Sequence, residues 1–514
     1  MTIIEALQNP DLFDHPVTDF KVIETHISWV LLTGPFAYKI KKPVNFGFLD
    51  FSDLEKRHQY CLDELRLNRR LAPHIYVDVI AIRGSDDKPQ LSGNDNVIEY
   101  AVKMHQFSQS AQLDKVLDRE ELKPSHIDNM ATVIAEFHDK TDITPQQSSF
   151  GDFNHVSGPV LENFEQIEGC IHIDEIQESL AELRSWCEYE LVRLRNVINQ
   201  RKADNFIREC HGDMHLRNMA IIHGEVVIFD CIEFNPNLSN IDVISEIAFL
   251  IMDLEDRHQY RLAQRFLNRY LEITGDYEGL QLLRFYKVYR AMVRAKVAAL
   301  TTTQEQLNSS KYTQAFKDLV QYIQLAASYT HKEQTCLLIN YGLSGSGKTS
   351  NTHRLIEKFN AIQLRSDVER KRMFEQQACS ADDNIYTKQA SDQTYARLHE
   401  LAAIILELGY SVIIDAANLQ SCRRIIFIEL AEKLQVPWLI LHYKAPAELL
   451  RQRIVHRLNE NQDASDADIE VLELQLETFE PLSQQELTRT LVINTEHPLN
   501  IDTIIYRITE LCFH

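Results

Sequence analysis

Residues 337–349 read Leu-Leu-Ile-Asn-Tyr-Gly-Leu-Ser-Gly-Ser-Gly-Lys-Thr. An apolar run ends in Gly342-x-x-x-x-Gly347-Lys348-Thr349, and a helical pattern follows. A strand feeding a glycine-rich loop that opens a helix is a phosphate cradle. The glycines let successive backbone N–H groups face one anion, and the helix N-terminus adds its dipole. Gly342, Leu343, Ser344, Gly345, Ser346, Gly347, Lys348 and Thr349 are therefore the candidate nucleotide-binding loop. Lys348 is placed to reach the β- and γ-phosphates of ATP and to act during transfer, while the Thr349 hydroxyl can hold Mg²⁺. The chain has only 15 glycines, and three of them fall in this loop, which argues against a chance turn.

The surroundings of the loop fix its fold class. From about residue 335 onward, short apolar runs (336–341, 362–364, 412–414, 438–443, 491–493) alternate with helix-period stretches (395–408, 425–434, 447–457, 504–511). That rhythm predicts an α/β domain with a parallel sheet covered on both faces. A nucleotide then sits at the carboxyl ends of the strands, where the loop lies. The first three hundred residues read differently. Strand patterns at 27–32, 37–40, 77–82 and 97–100 give way to long helices at 127–137, 176–198, 242–254 and 280–300. At 514 residues the chain is too long for one core. The pattern predicts an α+β domain over 1–305, a helical connector over 306–333 and the α/β domain over 334–514.

The front half carries its own phosphate chemistry. Residues 211–218 read His-Gly-Asp-Met-His-Leu-Arg-Asn, and 226–230 read Val-Val-Ile-Phe-Asp. Asp213 stands five positions before Asn218 and seventeen before Asp230. A protein-kinase catalytic loop has a base Asp, an Asn five residues on, and a metal-binding Asp at the end of a following strand. An acceptor hydroxyl needs a carboxylate to take its proton, and an Asn with an Asp can hold the Mg²⁺ that neutralises the phosphates. Upstream, Phe36-Ala37-Tyr38-Lys39 resembles the strand bearing the phosphate-pairing lysine. Glu64, in Cys61-Leu-Asp-Glu-Leu-Arg-Leu-Asn, lies on a helical pattern suited to pairing with Lys39.

Over about residues 20–300 the chain resembles the aminoglycoside phosphotransferase family, whose catalytic loop reads His-Gly-Asp-x-x-x-x-Asn. The resemblance implies a protein-kinase-like fold, with Asp213 as base, Asn218 and Asp230 as metal ligands and His211 as a positioning residue. Glu233, in Asp230-Cys-Ile-Glu-Phe-Asn, lies near the metal. One departure stands out. No Gly-x-Gly-x-x-Gly precedes Lys39, only the turn Thr33-Gly34-Pro35, so ATP phosphates are less covered there.

In the rear half, Leu364-Arg-Ser-Asp367-Val-Glu-Arg370 follows the second strand. Asp367 suits a general base for a hydroxyl, and Arg370, one turn on, can hold an acidic substrate group. Asp415 ends the third strand, where it suits water-mediated Mg²⁺ binding or acceptor contact. Arg451, Arg453 and Arg457 punctuate one helix, and the last two share a face. Such arginines close over a transferring phosphoryl group. Residues 335–514 resemble the small P-loop kinases of the gluconate kinase, zeta toxin and polynucleotide kinase group; Gln475-Leu-Glu-Thr-Phe-Glu480-Pro481-Leu482 is similar to the segment after their lid. The resemblance implies Asp367 as base and Arg453 or Arg457 as lid arginine. Segments such as Tyr38-Lys-Ile-Lys-Lys-Pro-Val-Asn-Phe-Gly-Phe-Leu-Asp-Phe and Phe229-Asp-Cys-Ile-Glu-Phe-Asn are characteristic of a bacterial fused family. That family joins an aminoglycoside phosphotransferase-like half to an AAA-type ATP-binding half.

Composition narrows the partners. No apolar run reaches the ~18–20 residues a membrane helix needs, and the start Met-Thr-Ile-Ile-Glu lacks the basic n-region of a signal peptide. Nine scattered cysteines without a Cys-x-x-Cys pair suit reduced thiols. Together these features predict a cytoplasmic protein. A net charge of −22 opposes extended nucleic-acid binding. The expected partners are ATP, Mg²⁺ and a small hydroxylated substrate. Three readings follow: a two-site small-molecule kinase, an ATP-gated ligand-binding regulator, and a nucleic-acid end kinase or toxin-like rear domain using Arg365 and Arg370-Lys-Arg372. The acceptor and the oligomeric state are not legible.

Overall fold

The computed structural model describes residues 2–45, 47, 49–307, 309–376, 387–460 and 468–513. Packing divides the chain into two units, Met1–Asp256 with Phe285–Ala326, and Arg257–Arg284 with Ala327–His514. The sequence boundaries at 305 and 334 miss this interleaving. Helix Tyr260–Thr274 buries Ala263, Phe266, Leu267, Tyr270 and Leu271 along one face and packs against strand Ala361–Arg365. That strand ends its sheet, and an edge strand leaves backbone groups unpaired. Asn268 answers them as a strand would. Its amide nitrogen donates to Ala361 O (3.0 Å), and its oxygen accepts from Gln363 N (2.8 Å). The span read as a connector is likewise divided, with residues up to Ala326 joining the first unit.

The first unit opens with a six-stranded antiparallel sheet in the order 21–24, 28–32, 36–41, 97–105, 76–85, 88–90. Helix Leu54–Arg69 packs on strands 76–85 and 97–105. Asp53 caps it by accepting from Lys56 N, and it buries Cys61, Glu64, Leu65 and Asn68 at helical spacing. Later in the chain come helices Pro124–Lys140, Phe153–Cys170, Asp174–Ala203 and Val243–Asp256. The hairpin Met219–Ile222/Glu225–Ile228 follows the segment expected to hold the base, with Met219 opposite Ile228.

The second unit has a five-stranded, all-parallel sheet in the order 361–365, 411–415, 337–341, 438–444, 490–494. Every residue of the first three strands in that order is buried, so helices cover both faces. The strand that feeds the glycine loop is central, flanked by strands that arrive later in the chain. Its carboxyl end is therefore the crevice where a doubly wound sheet binds ligands. No helix among the described residues is long and apolar enough to cross a membrane.

Candidate phosphotransfer sites

In the first unit, the hairpin explains the spacing of the three acidic and amide positions. It returns the chain so that Phe229 N–H donates to Asn218 O at 2.9 Å, which sets Asp230 beside Asn218. The Asn218 amide nitrogen donates to both Asp213 O and Asp213 Oδ2 at 3.0 Å. Its nitrogen is spent on Asp213, which leaves its carbonyl oxygen for a cation. Asp230, with a half-exposed carboxylate and φ of +66°, takes the left-handed conformation that Asp tolerates better than most residues. A carboxylate oxygen and an amide oxygen form the hard-oxygen donor set that Mg²⁺ prefers, so the residues present fit that ion.

His211 contacts the Asp213 backbone through its ring. Nε2 lies 2.8 Å from Phe229 O, which can only accept, and Nδ1 receives Asp213 N–H at 3.2 Å. These partners fix the neutral Nε2–H tautomer, and burial lowers the ring's pKa. Burial alone would raise the pKa of Asp213. The charge and hydrogen bond of His215 (3.3 Å), with Arg294, reverse this and hold the carboxyl well below the usual range. Gly212 has φ of +89°, and a Cβ there would stand 2.7 Å from Leu238 O. Only glycine fits that bend.

Lys39 pairs with Glu64 at 2.8 Å and with Asp230 at 2.5 Å, so all three sequence-selected residues meet. Lys41 was not selected. It shares a strand face with Lys39, because alternate residues point the same way, and is 1% exposed. Its ammonium bonds the second oxygen of Glu64 (2.7 Å) and Glu233, and lies 4.9 Å from the centre of the Phe51 ring. Burial pushes Lys41 toward neutrality, and the two carboxylates more than offset it. Glu233 is thus engaged by a lysine rather than turned to a metal. A second lysine two residues after the first was the available signal.

Two further acids were also unselected. On helix Val243–Asp256, Glu246 accepts His211 N–H (2.9 Å), Gly212 N–H (2.6 Å) and the His138 ring (3.2 Å). Asp253, seven positions on and on the same face, accepts Leu216 N–H at 3.0 Å. Together they bracket the backbone on either side of Asp213. The buried trio His138, Cys210 and Glu246 has metal-like proximity, yet both Glu246 oxygens already serve the loop.

In the second unit the loop adopts the cradle. Gly345 and Gly347 have φ of +77° and +81°, and helix Lys348–Ile356 starts immediately after. Lys348 Nζ donates to the carbonyls of Gly342 (2.8 Å) and Leu343 (2.9 Å). Burial brings its pKa down to about 8; Asp415 and Asp367 pull it up and Arg457 pushes it further down. These four side chains therefore share one electrostatic neighbourhood. Asp415 is 5% exposed, and its carboxylate is oriented by two amides, Asn340 Nδ2 (3.0 Å) and Gln363 Nε2 (2.8 Å). Lys348, the Thr349 hydroxyl and Asp415 suit a Mg²⁺-bound triphosphate.

The candidate arginines separate. Arg453 bonds Gly345 O (3.3 Å), Thr495 Oγ1 (3.1 Å) and Thr495 O (2.6 Å), which braces the loop. Arg451 faces outward and pairs with Glu473 at 2.8 Å. The basic run offered to nucleic acid is internally compensated. Arg365 pairs with Glu272 (2.8 Å), Arg370 with Asp367 (3.3 Å) and Arg372 with Glu369.

Comparisons with known proteins give the following matches. Residues 337–482 match the family model for the AAA domain. An uncharacterized protein of Mycobacterium tuberculosis is 28% identical over 466 residues, covering 88% of this chain and 89% of its own. An ethanolamine kinase of Plasmodium vivax aligns with 61% of this chain and 84% of its own, at 11% identity and a TM-score of 0.37. A sugar kinase of Janibacter sp. aligns with 34% of this chain and 94% of its own, at 22% identity and a TM-score of 0.26. What the comparisons show of this chain is that residues 337–482, within the second unit, match the AAA domain.

Proposed function

We propose that the protein is an ATP- and Mg²⁺-dependent phosphotransferase with two nucleotide sites, each passing the γ-phosphate to a hydroxyl of a small molecule in the cytoplasm. The observation that carries this reading is the convergence of Lys39, Glu64, Asp213, Asn218 and Asp230 from four stretches of chain. At the first site Asp213, ionised at neutral pH, accepts the acceptor's proton, and His211 holds its loop. Asn218 and Asp230 hold the metal. Lys39, oriented by Glu64, contacts the phosphates. Mg²⁺, when bound, neutralises charge on the transferring group.

At the second site residues 342–349 cradle the triphosphate, with Lys348 on its outer phosphates and Thr349 toward the metal. Asp367 is the base, and Arg370 and Asp415 contact the acceptor. Arg457 stabilises charge in transfer, and Arg453 acts through the loop it braces. The test is γ-labelled ATP with a panel of sugars, nucleosides and aminoglycosides, comparing Asp213→Asn and Lys348→Ala with the parent. Each change is expected to abolish transfer to a different acceptor. Transfer that neither change affects would refute the proposal.

A second reading, an ATP-gated ligand-binding regulator, has one observation in its favour. Strands Ser28–Leu32 and Phe36–Lys41 are joined by only three residues, so few amides can cover phosphates above Lys39. Label released only to water would favour that reading.

A further inference from the structure

The phosphate loop has a partner that neither the glycine motif nor the lysine accounts for. Ser344 N–H, one of the cradle amides, donates to Gln475 Oε1 at 2.8 Å. We infer that Gln475 binds the terminal phosphate of the nucleotide at the second site and makes that site prefer a triphosphate to a diphosphate. The inference rests on reading residues 342–349 as a nucleotide loop.

Packing fixes where Gln475 stands. It lies on helix Ile469–Thr478, whose Leu472 is fully buried against Leu450 and Ile454 of helix Ala447–Glu460. Leu343 and Leu476 pack on the same cluster. Leu472 and Leu476, three before and one after Gln475, hold its stretch of helix against the residue preceding Ser344. Arg451 Nε to Glu473 at 2.8 Å joins the two helices. A Cβ on Gly345 would lie 2.7 Å from Leu450 O, so this glycine allows the close approach of helix and loop. Two helices thus clasp the outer side of the loop, and Gln475 is the polar group they bring to its row of amides.

The chemistry follows from what the carboxamide has left. Its oxygen is committed to Ser344 N–H, so Nε2, with two N–H donors and no acceptor, is the end available to an anion. The helix N-terminus holds the inner phosphates, and Lys348 reaches outward from it. Ser344 lies on the strand side of the loop, away from the helix start at Lys348. A donor anchored there meets the outermost phosphate, which ADP lacks. A hydrogen bond to a charged oxygen is strong enough to give about tenfold discrimination.

The test compares Mg²⁺–ADP with a Mg²⁺-bound non-hydrolysable ATP analogue on the full chain. Only the binding component absent from Lys348→Ala is followed, so the first site does not interfere. Gln475→Glu keeps an oxygen for Ser344 N–H but replaces the donor with an anion. It should weaken the triphosphate about tenfold while leaving ADP within about twofold. Gln475→Ala should move the same ratio in the same direction by a smaller factor. Equal losses for both nucleotides, or no loss for either, overturn the inference and leave the nucleotide loop standing. A parent chain without any Lys348-dependent binding overturns the loop reading beneath it as well.

Discussion

The two candidate sites are built by opposite means. The second unit draws its candidate cradle from eight contiguous residues, with Gly345 and Gly347 in the left-handed region. The first assembles side chains as far apart as Lys39 and Asp230, 191 positions along the chain. A backbone cradle tolerates many side chains but rejects a Cβ at its glycines. A side-chain site tolerates backbone variation but depends on every charge having its partner. Their responses to substitution should therefore differ in kind.

The largest effect is expected at the base. Asp213→Asn should lower transfer at the first site by roughly 10²–10⁴-fold, the usual worth of general acid–base catalysis, and leave Lys348-dependent binding intact. Label transfer together with nucleotide titration reads both. Parallel loss at the two sites would erase the contrast.

Next comes the buried charge network. Lys41→Met strands Glu233 and one oxygen of Glu64 in a buried site, which should destabilise the first unit by about 3 kcal/mol or more in urea unfolding. Adding Glu233→Gln should recover part of that loss, because the uncompensated charge is removed. An unchanged unfolding midpoint would mean that the network is not held as described.

The same comparison predicts a pH response confined to the second site. Burial brings Lys348 to about 8, below its ordinary value, so its ammonium loses its proton as pH rises through that point. The charged form is the one that binds phosphate. ATP affinity there should fall roughly tenfold between pH 7 and pH 9. Lys348→Arg, which stays charged, should flatten the profile. A profile equally steep in the arginine variant would assign the titration to another group.

The smallest effect belongs to Arg451. Its ion pair with Glu473 is exposed on both sides, so Arg451→Ala should cost at most ~0.5 kcal/mol in unfolding, near the floor of detection. Arg453→Ala should instead weaken nucleotide binding, because its guanidinium bonds the loop carbonyl of Gly345.

The same contrast governs how much could be read from the sequence. All five strands of the second unit were legible, since buried parallel strands are continuous apolar runs and the loop is a contiguous motif. The proximity of Asp213, Asn218 and Asp230 was legible because a short hairpin fixes their spacing. Lys41 was not, since a buried lysine is identified only by the two carboxylates that surround it. Glu246 and Asp253 read as ordinary acids on a helical stretch, and their role appears only when the loop amides are seen above them. That helix Tyr260–Thr274 joins the second unit is likewise not legible. Its amphipathic pattern tells that it packs, whereas the edge strand it covers begins almost ninety residues later.

The most direct test of two separate triphosphate sites is the number of nucleotides bound per chain, measured by equilibrium dialysis with a Mg²⁺-bound non-hydrolysable ATP analogue. The account predicts two for the parent, one for Lys348→Ala and one for Lys39→Met. A parent that binds a single nucleotide, lost entirely in Lys348→Ala, would contradict a nucleotide site in the first unit.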